Sequence, residues 1–218
     1  MEVESLTSPA SRRDLRKQDR RQAIVDAARL SFLEHGYAAT SMSGLLKTLG
    51  GSKATLWGYF RSKEELFAAV IEDLTAAFRA ELDGVLKGTD ELEQALIGFC
   101  RSFGRKITTP EAVATWRLVM AESGRFPEVG RIFYDRSARY THDALTRFFT
   151  QHIAAGRLRP EDPARMADML TSLCAARQTR LLWGLTPTQT ASQDEDALLY
   201  TRTFLHAYAV RPDAEMRP

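Results

Sequence analysis

Within eight consecutive positions the chain places Ser52, Lys53, Ala54, Thr55, Trp57 and Tyr59, directly after the pair Gly50-Gly51. These residue types suit contact with a DNA duplex. A lysine ammonium can donate to guanine O6 or N7, and an alanine or threonine methyl can touch a thymine methyl. The tyrosine hydroxyl and the indole N–H can donate to phosphate oxygens, which position a protein without reading sequence. Simple packing is the alternative for Trp57. Leu56 and Phe60, spaced between them, are expected in the core. Arg20 and Arg21 lie upstream and Lys63 downstream as further phosphate candidates. Thr40 is expected to cap a helix and offer its hydroxyl to a phosphate. Lys63 falls in the first turn of a long predicted helix, where a cation costs typically 0.3–1 kcal/mol against the helix dipole. A phosphate contact would offset that cost, and a solvated lysine is the other reading.

Short helices must hold these groups. Ile24, Ala27, Ala28 and Phe32 share one face of a helix expected over about Lys17 to Glu34, ended by Gly36. A short helix with Met42, Leu45, Leu46 and Leu49 follows and is broken by Gly50-Gly51. Ser52 caps a second short helix, Lys53 to Phe60. Ser62 and Glu65 form a capping box that opens a long helix. Two short helices around a glycine turn, braced by a longer one, match a helix-turn-helix, whose second helix lies in the major groove.

The remaining chain reads as helix throughout. Stripes run through Phe67 to Leu82, Leu92 to Phe103, and Val113 to Met120. A long amphipathic segment spans about Pro127 to Ala155, with Gly156 as its stop. Met166 to Leu181 form the next helix, closed by Gly184 and Pro187. Leu198, Thr201, Leu205 and Tyr208 mark the last. The expected fold is all-α with about nine helices. Residues 1–15 are expected as a disordered basic lead-in, 16–62 as a DNA-binding domain, 63–210 as a second helical domain and 211–218 as a frayed tail. Arg12 to Lys17 would serve as a minor-groove or backbone arm, or only as a solubilising tail.

Composition agrees with one polyanion-facing end. The net charge of +2 is uneven, with eleven Lys and Arg against six Asp and Glu up to Lys63. A solvated charged face is the bland alternative. No apolar run of about 18 residues exists for a membrane-spanning helix. Met1 to Ala10 lacks the apolar segment of a secretory leader. Only two cysteines occur, so neither a disulfide scaffold nor a multi-cysteine metal site is expected, and a reducing cytoplasm is the default. Cys100 and Cys174 are read as buried inert thiols, a redox pair only if the fold brings them together. The motifs Gly-x-x-x-x-Gly-Lys-[Ser/Thr], Gly-x-Ser-x-Gly and His-Glu-x-x-His are all missing. No enzyme activity, cofactor or metal is expected.

One combination is specific. Ile24 to Ala28, Phe32 to Tyr37, Thr40 to Met42, Gly50 to Phe60 and Ser62 to Phe67 together resemble the TetR family of bacterial transcriptional regulators. Ala121 to Pro127, with Gly156 to Leu158 and Asp162-Pro163, resembles its AefR-like C-terminal subclass. The resemblance implies a three-helix DNA-binding domain and a larger ligand-binding and dimerisation domain. It places Lys53, Ala54 and Thr55 at base-facing positions, and Trp57 and Tyr59 at phosphate-contacting ones. Gly51, Leu46 and Leu49 depart from the usual pattern, and Leu49 is expected to fill the volume that Gly51 leaves. Gly44 inside a helix should cost about 0.5–1 kcal/mol relative to alanine.

The resemblance further implies an effector pocket among the middle helices. Candidates are Phe99, Phe103, Trp116, Met120, Tyr140, Cys174 and Gln178, with ordinary core as the alternative for each. An apolar pocket with few polar anchors would take a hydrophobic or aromatic small molecule. The last two helices would pair with their symmetry mates through Leu170, Leu173, Leu181, Leu198, Leu205 and Tyr208. A twofold dimer of this kind would read double-stranded DNA at a palindromic operator. The competing reading is an all-α interaction protein that binds nucleic acid weakly, or a protein partner.

Overall fold

A computed structural model describes residues 9–50, 52–185 and 192–210. The expected lead-in up to residue 8, Gly51, Pro187 and the tail from Arg211 lie outside the described residues. The described chain is helical: α1 (Pro9–Ala39), α2 (Met42–Leu49), α3 (Lys53–Tyr59), α4 (Lys63–Lys87), α5 (Leu92–Ile107), α6 (Pro110–Glu122), α7 (Pro127–Phe133), α8 (Arg139–Ala154), α9 (Pro163–Cys174), α10 (Ala176–Leu182) and α11 (Gln193–Tyr208). A π-helical turn, Tyr134–Ala138, joins α7 to α8. With α7 to α8 and α9 to α10 each taken as one broken run, these are the nine expected segments. α1 starts at Pro9, well before the expected Lys17, so part of the expected lead-in is helical, and Arg16 and Lys17 lie exposed on it.

Two compact units form. The first comprises the described residues up to Leu74 together with Leu118–Phe133. Its core joins Ile24, Val25, Ala28 and Phe32 of α1 to Leu45 of α2, Leu56 of α3, Phe60, and Leu66, Phe67, Val70 and Ile71 of α4. Leu118, Val119 and Val129 complete it. The boundary expected at Ser62 therefore falls inside a packed unit. The first three turns of α4 and the later α6–α7 segment belong with the short helices.

Capping fixes the short helices. Ser41, not Thr40, is the N-cap of α2, and its Oγ accepts the Gly44 N–H at 3.0 Å. A Cβ on Gly44 would stand 3.1 Å from that Oγ, which accounts for glycine in a helix. Ser52 caps α3 and accepts the Thr55 N–H at 3.1 Å. Ser62 accepts from Glu65 N–H at 3.2 Å, while the Glu65 carboxylate reaches back to Arg61 N–H at 2.7 Å, one residue earlier than a capping box requires.

Gly36 ends the long part of α1 with φ 86° and ψ 169°. That region is open to glycine and essentially closed to side chains. Its carbonyl accepts from the Thr40 hydroxyl at 2.9 Å, and two residues on the Ala38 N–H donates to Glu122 Oε1 at 3.1 Å.

The second unit comprises Thr75–Arg117 and the described residues from Tyr134. α5 packs along α11, and α8 along α9. Leu82, Leu96, Phe99, Leu145, Phe149, Leu170 and Phe204 fill its core. Arg177 of α10 and Asp196 of α11 form a part-buried ion pair at 2.6 Å. Arg157–Arg159 pairs with the end of α11 through one antiparallel bridge, Leu158 to Ala209.

Gly36→Ala should lower the unfolding free energy by about 1–3 kcal/mol, because the residue must hold a glycine-only backbone conformation. Urea unfolding checks this. An unchanged midpoint would show that the break at Gly36 relaxes without strain.

Candidate nucleic-acid interface

The outer face of α3 emerges from its packing. Leu56 and Phe60 are buried and clamp the helix to the core. This leaves Ser52, Lys53, Ala54, Thr55 and Gly58 exposed, and Trp57 41% exposed. The Thr55 hydroxyl lies 2.8 Å from Ser52 Oγ. Tyr59 is half-buried and packs against the core. The six sequence-picked residues thus stand on one short helix, with Lys53, Ala54 and Thr55 clear of the core.

Several flanking candidates serve the domain itself. Arg20 donates to the Gly50 carbonyl at 2.8 Å and so caps the end of α2. The Arg21 guanidinium stacks over the Phe60 ring at 5.1 Å. Each guanidinium carries five donors and keeps others for a phosphate. Thr40 is different, being only 2% exposed. Its hydroxyl is shared between Gly36 O and Ser31 Oγ, 3.0 Å away. The fold uses Thr40 as an internal tie rather than as a group facing a phosphate.

Lys63 is also committed. Its Nζ donates to the Tyr37 carbonyl at 2.9 Å and sits 4.2 Å from the centre of the Tyr37 ring. A charged hydrogen bond contributes about 1.5–3 kcal/mol. That exceeds the 0.3–1 kcal/mol dipole cost, so no phosphate is needed to explain a lysine here. Tyr37 stacks on Phe32 at 5.7 Å and meets Phe67 and Phe126 edge-on at 5.3 and 5.5 Å. Burial, and then the Glu64 and Glu128 carboxylates, push its phenol well above the usual tyrosine range. Sequence periodicity could not reveal Glu122 and Phe126 as part of this assembly, because both lie more than 80 residues from Tyr37.

The expected pocket residues do not form one wall. Phe99 is fully buried and stacks on Phe103 at 5.3 Å, as ordinary core. Gln178 is buried and donates to the Ile107 carbonyl at 2.9 Å. Tyr140 donates to Asp83 at 2.9 Å beneath the Arg79 guanidinium. Trp116 is half-buried in the second unit. Met120 falls in the first unit and is 67% exposed, so it lines no enclosed pocket. Cys174 borders a cavity of about 10 Å³.

The expected dimer residues divide too. Leu170 is fully buried in its own unit and unavailable to a partner. Leu205 and Tyr208 pack against the same core, and Leu173, Leu181 and Leu198 are half-buried. Their neighbours Met169 and Leu199 are 50% and 58% exposed on α9 and α11. Each sits one position from a chosen leucine, and a stripe read from periodicity alone does not resolve that rotation. No helix among the described residues is long and apolar enough to cross a membrane.

Residues 24–70 match the family model for bacterial regulatory proteins of the tetR family, and residues 94–210 match that for the AefR-like transcriptional repressor C-terminal domain. The transcriptional regulator BetI of Rhizobium meliloti (strain 1021) is 34% identical over 55% of this chain, a stretch that spans 61% of that relative. BetI of Agrobacterium fabrum (strain C58) is 30% identical over 71% of this chain and 72% of its own length. The solved structure of a "Flavonoid-responsive Regulator FrrA" superposes with a TM-score of 0.78, at 32% identity, covering 89% of this chain and 99% of that one.

Lys63→Ala should lower the unfolding free energy by about 1–3 kcal/mol through loss of its charged hydrogen bond to Tyr37. Urea unfolding reads the change. A wild-type midpoint would show Lys63 to be a solvated lysine.

Proposed function

This chain belongs to the TetR family of bacterial regulatory proteins and is a DNA-binding transcriptional regulator; from that premise we propose that it is a repressor working as a homodimer on a palindromic operator. The observation that carries the reading is α3: Lys53, Ala54 and Thr55 face outward while Leu56 and Phe60 anchor the helix. Lys53 is assigned to a base edge, with the Ala54 and Thr55 methyls against thymine methyls. Tyr59, Trp57, Arg20 and Arg21 are assigned to phosphates, which set register and salt dependence. Thr40 and Lys63 are removed from the contact set and assigned to bracing.

A twofold axis would present two copies of α3 about 34–36 Å apart, one turn of DNA or a multiple of it. Met169 and Leu199, with Leu173 and Leu198 beside them, are the apolar groups proposed to meet a second copy. A small-molecule effector is proposed to act on the second unit. The flavonoid-responsive neighbour supports a flat aromatic effector. The cavity beside Cys174 has room for about one water. An effector would therefore select a more open, less populated state of the second unit. Release from DNA then requires that the effector favour the conformation that does not bind DNA.

Binding of Lys53→Ala, Tyr59→Phe and Lys63→Ala to DNA, followed across salt, tests the division of labour. Lys53→Ala should cost about 1–3 kcal/mol and relax preference at particular base pairs. Tyr59→Phe should weaken all sequences by a similar factor. Lys63→Ala, where folded, should leave the salt dependence unchanged, since it removes no phosphate contact. A changed sequence preference in Tyr59→Phe, or a shallower salt slope in Lys63→Ala, would overturn these assignments.

A further inference from the structure

The second unit brings together two thiols that lie 74 positions apart in sequence. Cys100 on α5 and Cys174 at the end of α9 are both free and buried. Both belong to one buried cluster of the second unit. Thr201 of α11 places its hydroxyl 3.7 Å from Cys100 Sγ, as a donor to that sulfur. Both cysteines line the small cavity, which has the volume of one water-sized molecule. The ion pair of Arg177 and Asp196 borders it. Ordinary buried cysteines are inert because apolar surroundings disfavour the thiolate. Here the Thr201 hydroxyl meets the Cys100 sulfur beside a small cavity that Cys174 also lines. The Thr201 hydroxyl donates to Cys100, which favours its thiolate and makes Cys100 the attacking sulfur and Cys174 its resolving partner.

We propose that Cys100 and Cys174 form a reversible intramolecular disulfide in response to a small peroxide. The Cys100 thiolate attacks one oxygen of hydrogen peroxide, the O–O bond breaks, and the departing hydroxide takes up the thiol proton as water. Cys100 is now a sulfenic acid. The Cys174 sulfur attacks the Cys100 sulfur, the S–O bond breaks, and a second water leaves with the Cys174 proton. Both sulfurs are oxidised, the peroxide is reduced, and a dithiol reductant reverses the step. The product ties α5 to the end of α9, next to the break at Ala175.

The test treats the native full chain with hydrogen peroxide and maps its peptides by mass without reduction. A Cys100–Cys174 linked peptide should appear, both titratable thiols should vanish, and dithiothreitol should restore them. C174S should stop at a sulfenic acid on Cys100 that dimedone traps, and C100S should block the reaction. Thr201→Val should slow oxidation by roughly three- to tenfold, the worth of one hydrogen bond, and Thr201→Ser should restore the rate. Circular dichroism confirms that each variant is folded. Thiols that survive peroxide in the folded wild-type chain would overturn the proposal. So would intermolecular cross-links only, or a first attack at Cys174.

Discussion

The burial of Tyr37 is the constraint on which the DNA-facing unit depends. α2 and α3 have 8 and 7 residues, too few to hold helical structure unaided. They persist because Leu45, Leu56 and Phe60 dock into a core built on α1 and α4. Tyr37 locks that core where α1 breaks, through ring contacts to Phe32, Phe67 and Phe126. Lys63 fastens the Tyr37 carbonyl, and Glu122 fastens Ala38 one residue on. Loss of any of these would loosen the base on which Lys53, Ala54 and Thr55 are displayed.

Polar residues around this base divide into those committed to bracing it and those left exposed. Thr40, Lys63 and in part Arg20 spend their donors on carbonyls within the unit. Each satisfies a backbone acceptor left over at a helix end or break, which is why such residues cluster there. Lys53 has no such duty, standing exposed on the first turn of α3. Charge alone cannot separate the two groups, because both are basic or hydroxylated and adjacent in sequence.

What the sequence revealed follows from the range of each interaction. The helical faces through Ile24, Ala28 and Phe32, the caps at Ser52 and Ser62, and the stop at Gly36 are local, and the structure keeps them. The outward set on α3 was legible for the same reason. Contacts made over long separations were not. Glu122 and Phe126 join the first unit from far along the chain. Cys100 and Cys174 line one cavity because α5 and α9 pack in the same unit. Leu170 is buried beside an exposed Met169, and Leu198 half-buried beside an exposed Leu199, since a shift of one residue turns a helix face by about 100°. Apolar type alone does not fix that angle.

We propose that α3, held by this aromatic base and paired about a twofold axis, reads DNA sequence. Selection from a random duplex pool by the purified full chain, with affinity for the recovered sequences followed across salt, tests this. The expected result is a recurrent twofold-symmetric site, its half-sites one helical turn or a multiple apart, bound far more tightly than random DNA. A pool without enrichment, bound with an affinity that falls uniformly as salt rises, would contradict it and leave only backbone contacts.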